Sequence, residues 1–187
     1  MQKLKIRNDD FDFRMSTEYY VAVHEHFIAN DLIETAVIQI TKNNNLSDFE
    51  AKRELIDYMN TAPNWDLQIH GWAHDNYHEM SYGEIVRDMS AGFFHFQKLF
   101  NKLPTVWYPP YNGRSEDMER AAETLGLTID NEDMPISRFV EKRDMDWENG
   151  KLKGHSLYFH SWNHQEMEHF EEMIKLVVEI ENEKIDE

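Results

Sequence analysis

The stretch YGEIVRDMSAGFFHFQKLFNKLPTVWYPPY, residues 82–111, decides the fold. Within it Ile85, Val86, Met89, Phe93, Phe96 and Phe100 recur at the spacing of one helix face, so residues 83–100 read as an amphipathic helix. Residues 105–108 then read as a strand, which Pro109-Pro110 terminates because proline has no amide hydrogen to give a ladder. Helix followed by strand is the unit that repeats on either side. Upstream, residues 4–6 form a short strand running into Asp9-Asp10, residues 17–28 a helix, residues 36–40 a buried β-branched strand, and residues 66–69 a strand ending at His70. Ser47 and Glu50 fit a capping box, opening a helix with Leu55, Ile56 and Met59 on one face. Downstream, Ser115 caps a helix carrying Met118, Ala121, Ala122 and Leu125, and Gly126 stops it. Residues 127–129 are a strand, Asn149-Gly150 is a hairpin signal, and residues 156–159 are a strand ending at His160. A last helix, from Glu166 to about Glu183, buries Phe170, Ile174, Val177 and Ile180. This alternation predicts an α/β fold with a mostly parallel sheet, in a single domain spanning residues 1–187. In such folds ligand sites gather at the carboxyl ends of the strands.

Composition narrows the function. With 19 Lys+Arg against 36 Asp+Glu the net charge is −17, which excludes a nucleic-acid partner and disfavours an anionic membrane surface. Part of that charge is concentrated at one end, where residues 166–187 hold nine acids against Lys175 and Lys184. The absence of cysteine removes disulfides, thiolate nucleophiles and Cys-ligated metal centres. Hydrophobic residues make up 41%, enough for one sizeable core. No apolar run follows the basic N-terminus, so the reading predicts no signal peptide and a cytoplasmic protein that lysis could release.

Three strand ends carry groups able to bind a metal: Asp9-Asp10, His70-Gly-Trp-Ala-His74 and His160. A four-residue offset lets both imidazoles reach one ion if the chain makes a helical turn there. Two neutral imidazoles and a carboxylate leave positions open for water, as in catalytic metal centres. A divalent ion there lowers the pKa of its water toward about 7. A second carboxylate could then act as general base and a facing histidine as general acid. Singly, each piece has an ordinary explanation: among ten histidines a chance His-x-x-x-His pair is expected, and His78 extends it into an exposed stripe.

Their order along the chain is more specific. Asp9-Asp10, His70-Gly-Trp-Ala-His74, Tyr108-Pro-Pro-Tyr-Asn112 and Tyr158-Phe-His160 together resemble the polysaccharide deacetylase family, the NodB-homology group or carbohydrate esterase family 4. The stretch from Tyr82 through Gly126 looks most like it. The resemblance implies a distorted, incomplete (β/α) barrel and a metal-dependent hydrolase, acting on C–N bonds other than peptide bonds. Such an enzyme removes an acetyl group from an N-acetylated sugar or polysaccharide by attack of metal-bound water. Carried over to this chain, it makes Asp9 the general base, and Asp10, His70 and His74 the metal ligands. The amide of Tyr111 becomes an oxyanion donor and His160 the acid for the leaving amine.

The implied cofactor is one divalent ion, zinc foremost, with cobalt, nickel, manganese or iron as alternatives. Trp72, Tyr108, Trp147 and Tyr158 are the candidate substrate contacts, since sugar rings present C–H faces that stack on aromatic side chains. Three positions depart from the family pattern. Tyr108 stands where the family has an arginine that orients the base, and Arg14 or Arg114 is expected to replace it. Tyr158 stands where the family has a leucine, and the family's Asp-Trp motif corresponds only loosely to Asp144-Met-Asp146-Trp147. Two other functions therefore stay open: a catalytically impaired carbohydrate-binding protein of the same fold, and a deacylase for a small non-sugar amide.

Overall fold

Strands form where β-branched and aromatic residues cluster, and every strand pairing here is parallel. The computed structural model describes residues 6–41, 52–130, 133–141 and 156–183. Seven strands lie among them: β1 (Ile6–Phe11), β2 (Glu34–Gln39), β3 (Trp65–Gly71), β4 (Val106–Trp107), β5 (Thr128–Ile129), β6 (Asp133–Pro135) and β7 (Ser156–Phe159). The helices are α1 (Thr17–Ala29), α2 (Arg53–Thr61), α3 (Tyr82–Phe100), α4 (Glu116–Leu125), α5 (Ile136–Glu141), α6 (His164–Met167) and α7 (Phe170–Glu183). The sheet order is β5-β4-β3-β2-β1-β7-β6. Read as a circle this is the order of a barrel whose β5 and β6 edges do not pair. The expected incomplete (β/α) barrel is thus the observed fold, and its strands all point their carboxyl ends to one rim. None of the described helices is long and apolar enough to cross a membrane.

The amphipathic helix of the opening stretch is α3, which buries Ile85, Met89, Phe96 and Phe100 against β3 and β4. Each such side chain contributes about 1.5–3 kcal/mol through burial. Ser81 and Glu84 form its capping box, the Ser81 amide donating to Glu84 Oε2 at 2.9 Å. Ser115 Oγ accepts the Met118 amide at 3.3 Å, and Gly126 closes α4 at φ 71°, a conformation glycine takes without a Cβ penalty.

Three sequence expectations need correction. Strand β1 does not stop before Asp9-Asp10 but continues to Phe11, because a register shift against β2 absorbs the extra residue between Asn8 and Phe11. The last helix is two helices. Asn163 caps α6, its Oδ1 accepting the Gln165 amide at 3.1 Å, and the chain turns at Glu168-His169 before α7. Finally, β6 and α5 occupy a stretch for which no element was expected. The capping box at Ser47, the hairpin at Asn149-Gly150 and Trp147 lie outside the described residues.

On the helix side of β1 and β2 lies a buried polar chain. His24 Nε2 donates to the Pro63 carbonyl at 2.8 Å, and its Nδ1 faces Glu34 Oε2 at 2.9 Å. Glu34 Oε1 accepts from Asn8 Nδ2 at 2.9 Å, and Asn8 Oδ1 accepts the Ser161 amide at 3.1 Å. Burial pushes the Glu34 carboxyl above its ordinary range, more than His24 and Asn8 draw it down. A folded-state pKa raised in this way gives stability that is complete below the unfolded value and lost as pH rises through the folded one. Glu34→Gln keeps both contacts, donating to His24 Nδ1 and accepting from Asn8. It is expected to unfold within about 1 kcal/mol of wild type and to gain on it as pH rises from 4 to 8. Glu34→Ala, which strands His24 and Asn8, is expected to lose about 3 kcal/mol in urea melts.

Candidate metal centre and active site

Alternation along β1 sets the first half of the site. Arg7 and Asp9 are two residues apart in a strand, so both side chains leave the same face. Arg7 holds Asp9 bidentately, Nε to Oδ1 at 3.1 Å and Nη2 to Oδ2 at 2.6 Å, with Arg7 only 1% exposed. The Tyr108 ring lies under this guanidinium, 4.4 Å from its centre. Asp10 would ordinarily point to the opposite face. It instead takes a left-handed backbone at φ 51°, a strain of about 1 kcal/mol that Asp tolerates better than most residues. The bulge and this turn bring both carboxylates to the rim.

At the end of β3, His70 Nδ1 donates to the Tyr108 carbonyl at 2.6 Å. That contact fixes the tautomer and leaves Nε2 as a lone pair. Asp10 Oδ1 sits 3.0 Å from His70 Nε2 and 3.0 Å from His74 Nε2. His70 Nε2 is buried and has no hydrogen-bond partner. A buried imidazole nitrogen this close to a carboxylate oxygen, with a second imidazole at the same distance, suits a cation shared by all three. The ligand atoms of Asp10, His70 and His74 all lie within 4.8 Å of one another. Two imidazole nitrogens and one carboxylate oxygen fit a divalent transition-metal ion with positions left open. The pair does not use the expected helical turn: His70 lies next to the last residue of a strand and His74 follows in a bend. Burial disfavours ionised Asp10, but His70 and His74 outweigh it and hold the carboxyl well below its usual range. Asp10 in turn raises His74 above the ordinary histidine value.

His160 follows β7 and closes the rim, its Nε2 3.8 Å from Asp10 Oδ2. On its far side Glu166, the acid of the α6 first turn, accepts from His160 Nδ1 at 3.0 Å and from the His160 amide at 2.6 Å. Burial lowers the His160 pKa, yet Glu166, with Asp10 and Asp9 behind it, outweighs burial and raises the imidazole above its ordinary value. Tyr111 is 67% exposed, in a left-handed conformation at φ 59°, with its ring edge-on to His74 at 4.6 Å.

Of the expected substrate contacts, Tyr158 is half-buried between Arg7 and His160. Trp72 packs on His95 at 5.1 Å, and Tyr108 is buried beneath Arg7, making the floor of the site rather than an open wall. Neither arginine expected to replace the family's arginine reaches Asp9. Arg14 pairs with Asp12 and stacks on Trp162, and Arg114 pairs with Glu119. Arg7 takes that contact, and the sequence signal was present as Arg-x-Asp in one strand. Glu166 was hidden, because it looked like one more acid of a solvated helix.

The sequence model of the polysaccharide deacetylase family matches residues 15–129, which include His70, His74 and Pro109-Pro110-Tyr111 but neither Asp10 nor His160. No curated protein matches at the level of sequence. Among solved structures, the peptidoglycan deacetylase PdaC from Bacillus subtilis superposes with a TM-score of 0.69 at 15% identity, over 95% of this chain and 84% of that one. A family 4 carbohydrate esterase from Streptomyces lividans in complex with acetate gives 0.68 at 13% identity, over 92% and 86%. BA3943, a CE4 family pseudoenzyme from Bacillus anthracis, gives 0.71 at 13% identity, over 95% of this chain and 61% of its own. At such identities the structures testify to the fold, and the sequence match supplies the kinship: this chain belongs to the polysaccharide deacetylase family.

Proposed function

We propose that this chain is a metal-dependent hydrolase that removes the acetyl group of an N-acetylated sugar or polysaccharide. The observation that carries the reading is the convergence of Asp10, His70 and His74, with the buried, unpartnered His70 Nε2 3.0 Å from an Asp10 oxygen. A divalent cation held there supplies Lewis-acid polarisation of the acetyl carbonyl and water acidic enough to attack near neutral pH. The remaining steps fall to the protein. Asp9, fixed by Arg7, takes the proton of the attacking water. The Tyr111 amide donates to the oxygen on which charge collects. His160, fixed by Glu166, gives its proton to the departing amine, and Glu166 favours the protonated imidazole that this role needs. Tyr158 and Trp72 offer ring faces to the sugar.

The test is acetate release from N-acetylglucosamine oligomers. Release is expected with zinc or cobalt, to cease on chelation and to return on adding metal back. Asp9→Asn is expected to lower kcat by at least about 1000-fold while metal content is kept. An unaffected Asp9→Asn chain would refute the assignment. The likeness to a pseudoenzyme motivates a second reading, a carbohydrate-binding protein without chemistry. Sugar binding with no acetate released at any metal loading would establish it. Release from small non-sugar amides alone would instead place the substrate outside carbohydrates.

A further inference from the structure

Between the two histidines the chain leaves β3 and crosses a bend, and that bend is tied down from outside the metal site. Tyr77, 1% exposed, places its hydroxyl 3.0 Å from the Trp72 amide, which donates to it, and itself donates to Asp88 Oδ2 on α3. The Asp88 carboxylate also receives the Trp72 amide. From the opposite side the Trp72 carbonyl accepts the Thr41 amide at 2.7 Å and the Thr41 hydroxyl at 3.1 Å. The peptide groups on both sides of Trp72 are therefore fixed, two residues before His74.

The packing leaves no slack. A Cβ on Gly71 would lie 2.5 Å from the Tyr77 hydroxyl and 2.9 Å from the Ala73 carbonyl, so only glycine fits beside this hydroxyl. A Cβ on Gly92 of α3 would come within 3.1 Å of Ile69 Cδ1 and 3.6 Å of the Trp72 nitrogen. The Tyr77 ring meets Trp107 edge-on at 5.1 Å, and Trp107 Nε1 donates to the His70 carbonyl at 3.0 Å. One side chain thus bears on both halves of the His-x-x-x-His segment without touching either imidazole.

We propose that Tyr77 and Asp88 are positioning residues for the metal centre: their clamp on the Trp72 amide presets His74 at the distance from His70 that a cation requires. This rests on the metal reading above. Without the clamp the bend samples other conformations, and metal binding must then order it, so affinity falls while the ligand set is unchanged.

Zinc titration of the full chain against a chromophoric chelator tests this. Tyr77→Phe and Asp88→Ala are each expected to weaken zinc by about 10–100-fold. Asp88→Asn, which keeps an acceptor for the Trp72 amide, should recover part of the loss. In the metal-free chain the Trp72 amide should exchange its hydrogen faster in Tyr77→Phe than in wild type. Tyr82→Phe is the control, since it removes a hydroxyl 3.1 Å from Thr124 Oγ1 on α4. A merely structural tyrosine would lower Tm in either variant without moving the zinc constant. Wild-type uptake with an unchanged constant in Tyr77→Phe overturns the proposal alone. A wild-type chain that takes up no zinc overturns the metal reading, and the proposal with it.

Discussion

Arg7→Met is expected to cost both stability and turnover, by different routes. The substitution conserves most of the volume but leaves the Asp9 carboxylate, 6% exposed, without its guanidinium. Removing one partner of a buried ion pair typically costs about 3–5 kcal/mol, because the remaining charge stays desolvated. Asp9 is also the group assigned to take a proton, so a carboxylate free to rotate should lower kcat by at least about 100-fold beyond any loss of folded protein. Arg7→Lys separates the two effects. It keeps the charge but not the two-pronged geometry, so stability should largely return while kcat stays depressed. Adding Asp9→Asn to Arg7→Met removes the stranded charge, and urea melts should then show less destabilisation than Arg7→Met alone. Wild-type turnover in Arg7→Met would mean that Asp9 is not the base.

How much of this was legible in the sequence follows from what one-dimensional patterns encode. The helix Tyr82–Phe100 was plain because Ile85, Met89, Phe96 and Phe100 repeat at the helical period and bury on one face. The strands other than β1, which runs on to Phe11, and β6, which was not expected, were found within a residue or two from their β-branched and aromatic runs. The clustering of Asp10, His70 and His74 was also legible, since each follows a strand-like run and parallel strands bring such ends to one rim. The choice between Asp9 and Asp10 was not readable from local pattern. It depends on a register shift and a left-handed residue, both tertiary in origin. Arg7 is not singled out by motif, because the family's arginine belongs at the position of Tyr108. The structure shows the same contact reached from β1, with Tyr108 under the guanidinium instead of supplying it. Glu166 was misread because charge runs usually mean a solvated helix face. Here the helix breaks at Glu168-His169, and that break frees the first turn to fold back on His160.

These substitutions bear on the relation to the pseudoenzyme and the esterases alike. A chain can depart from a motif and still fill each role, provided another strand offers the right atom at the right distance. Arg7 and Glu166 do so for the proposed base and acid, and Tyr77 with Asp88 for the bend carrying His74.

Metal content is accordingly the most direct measure. The chain, stripped with chelator, reloaded with zinc and desalted, should hold about one equivalent by elemental analysis, as a three-ligand site with open positions requires. Thermal stability should rise on loading, by the binding free energy available at the free zinc concentration used. His70→Ala with His74→Ala should hold none and show no rise in Tm, while its metal-free circular dichroism matches that of wild type. Equal zinc in the wild type and the double variant would contradict the account, because the cation would then be bound somewhere other than between Asp10, His70 and His74.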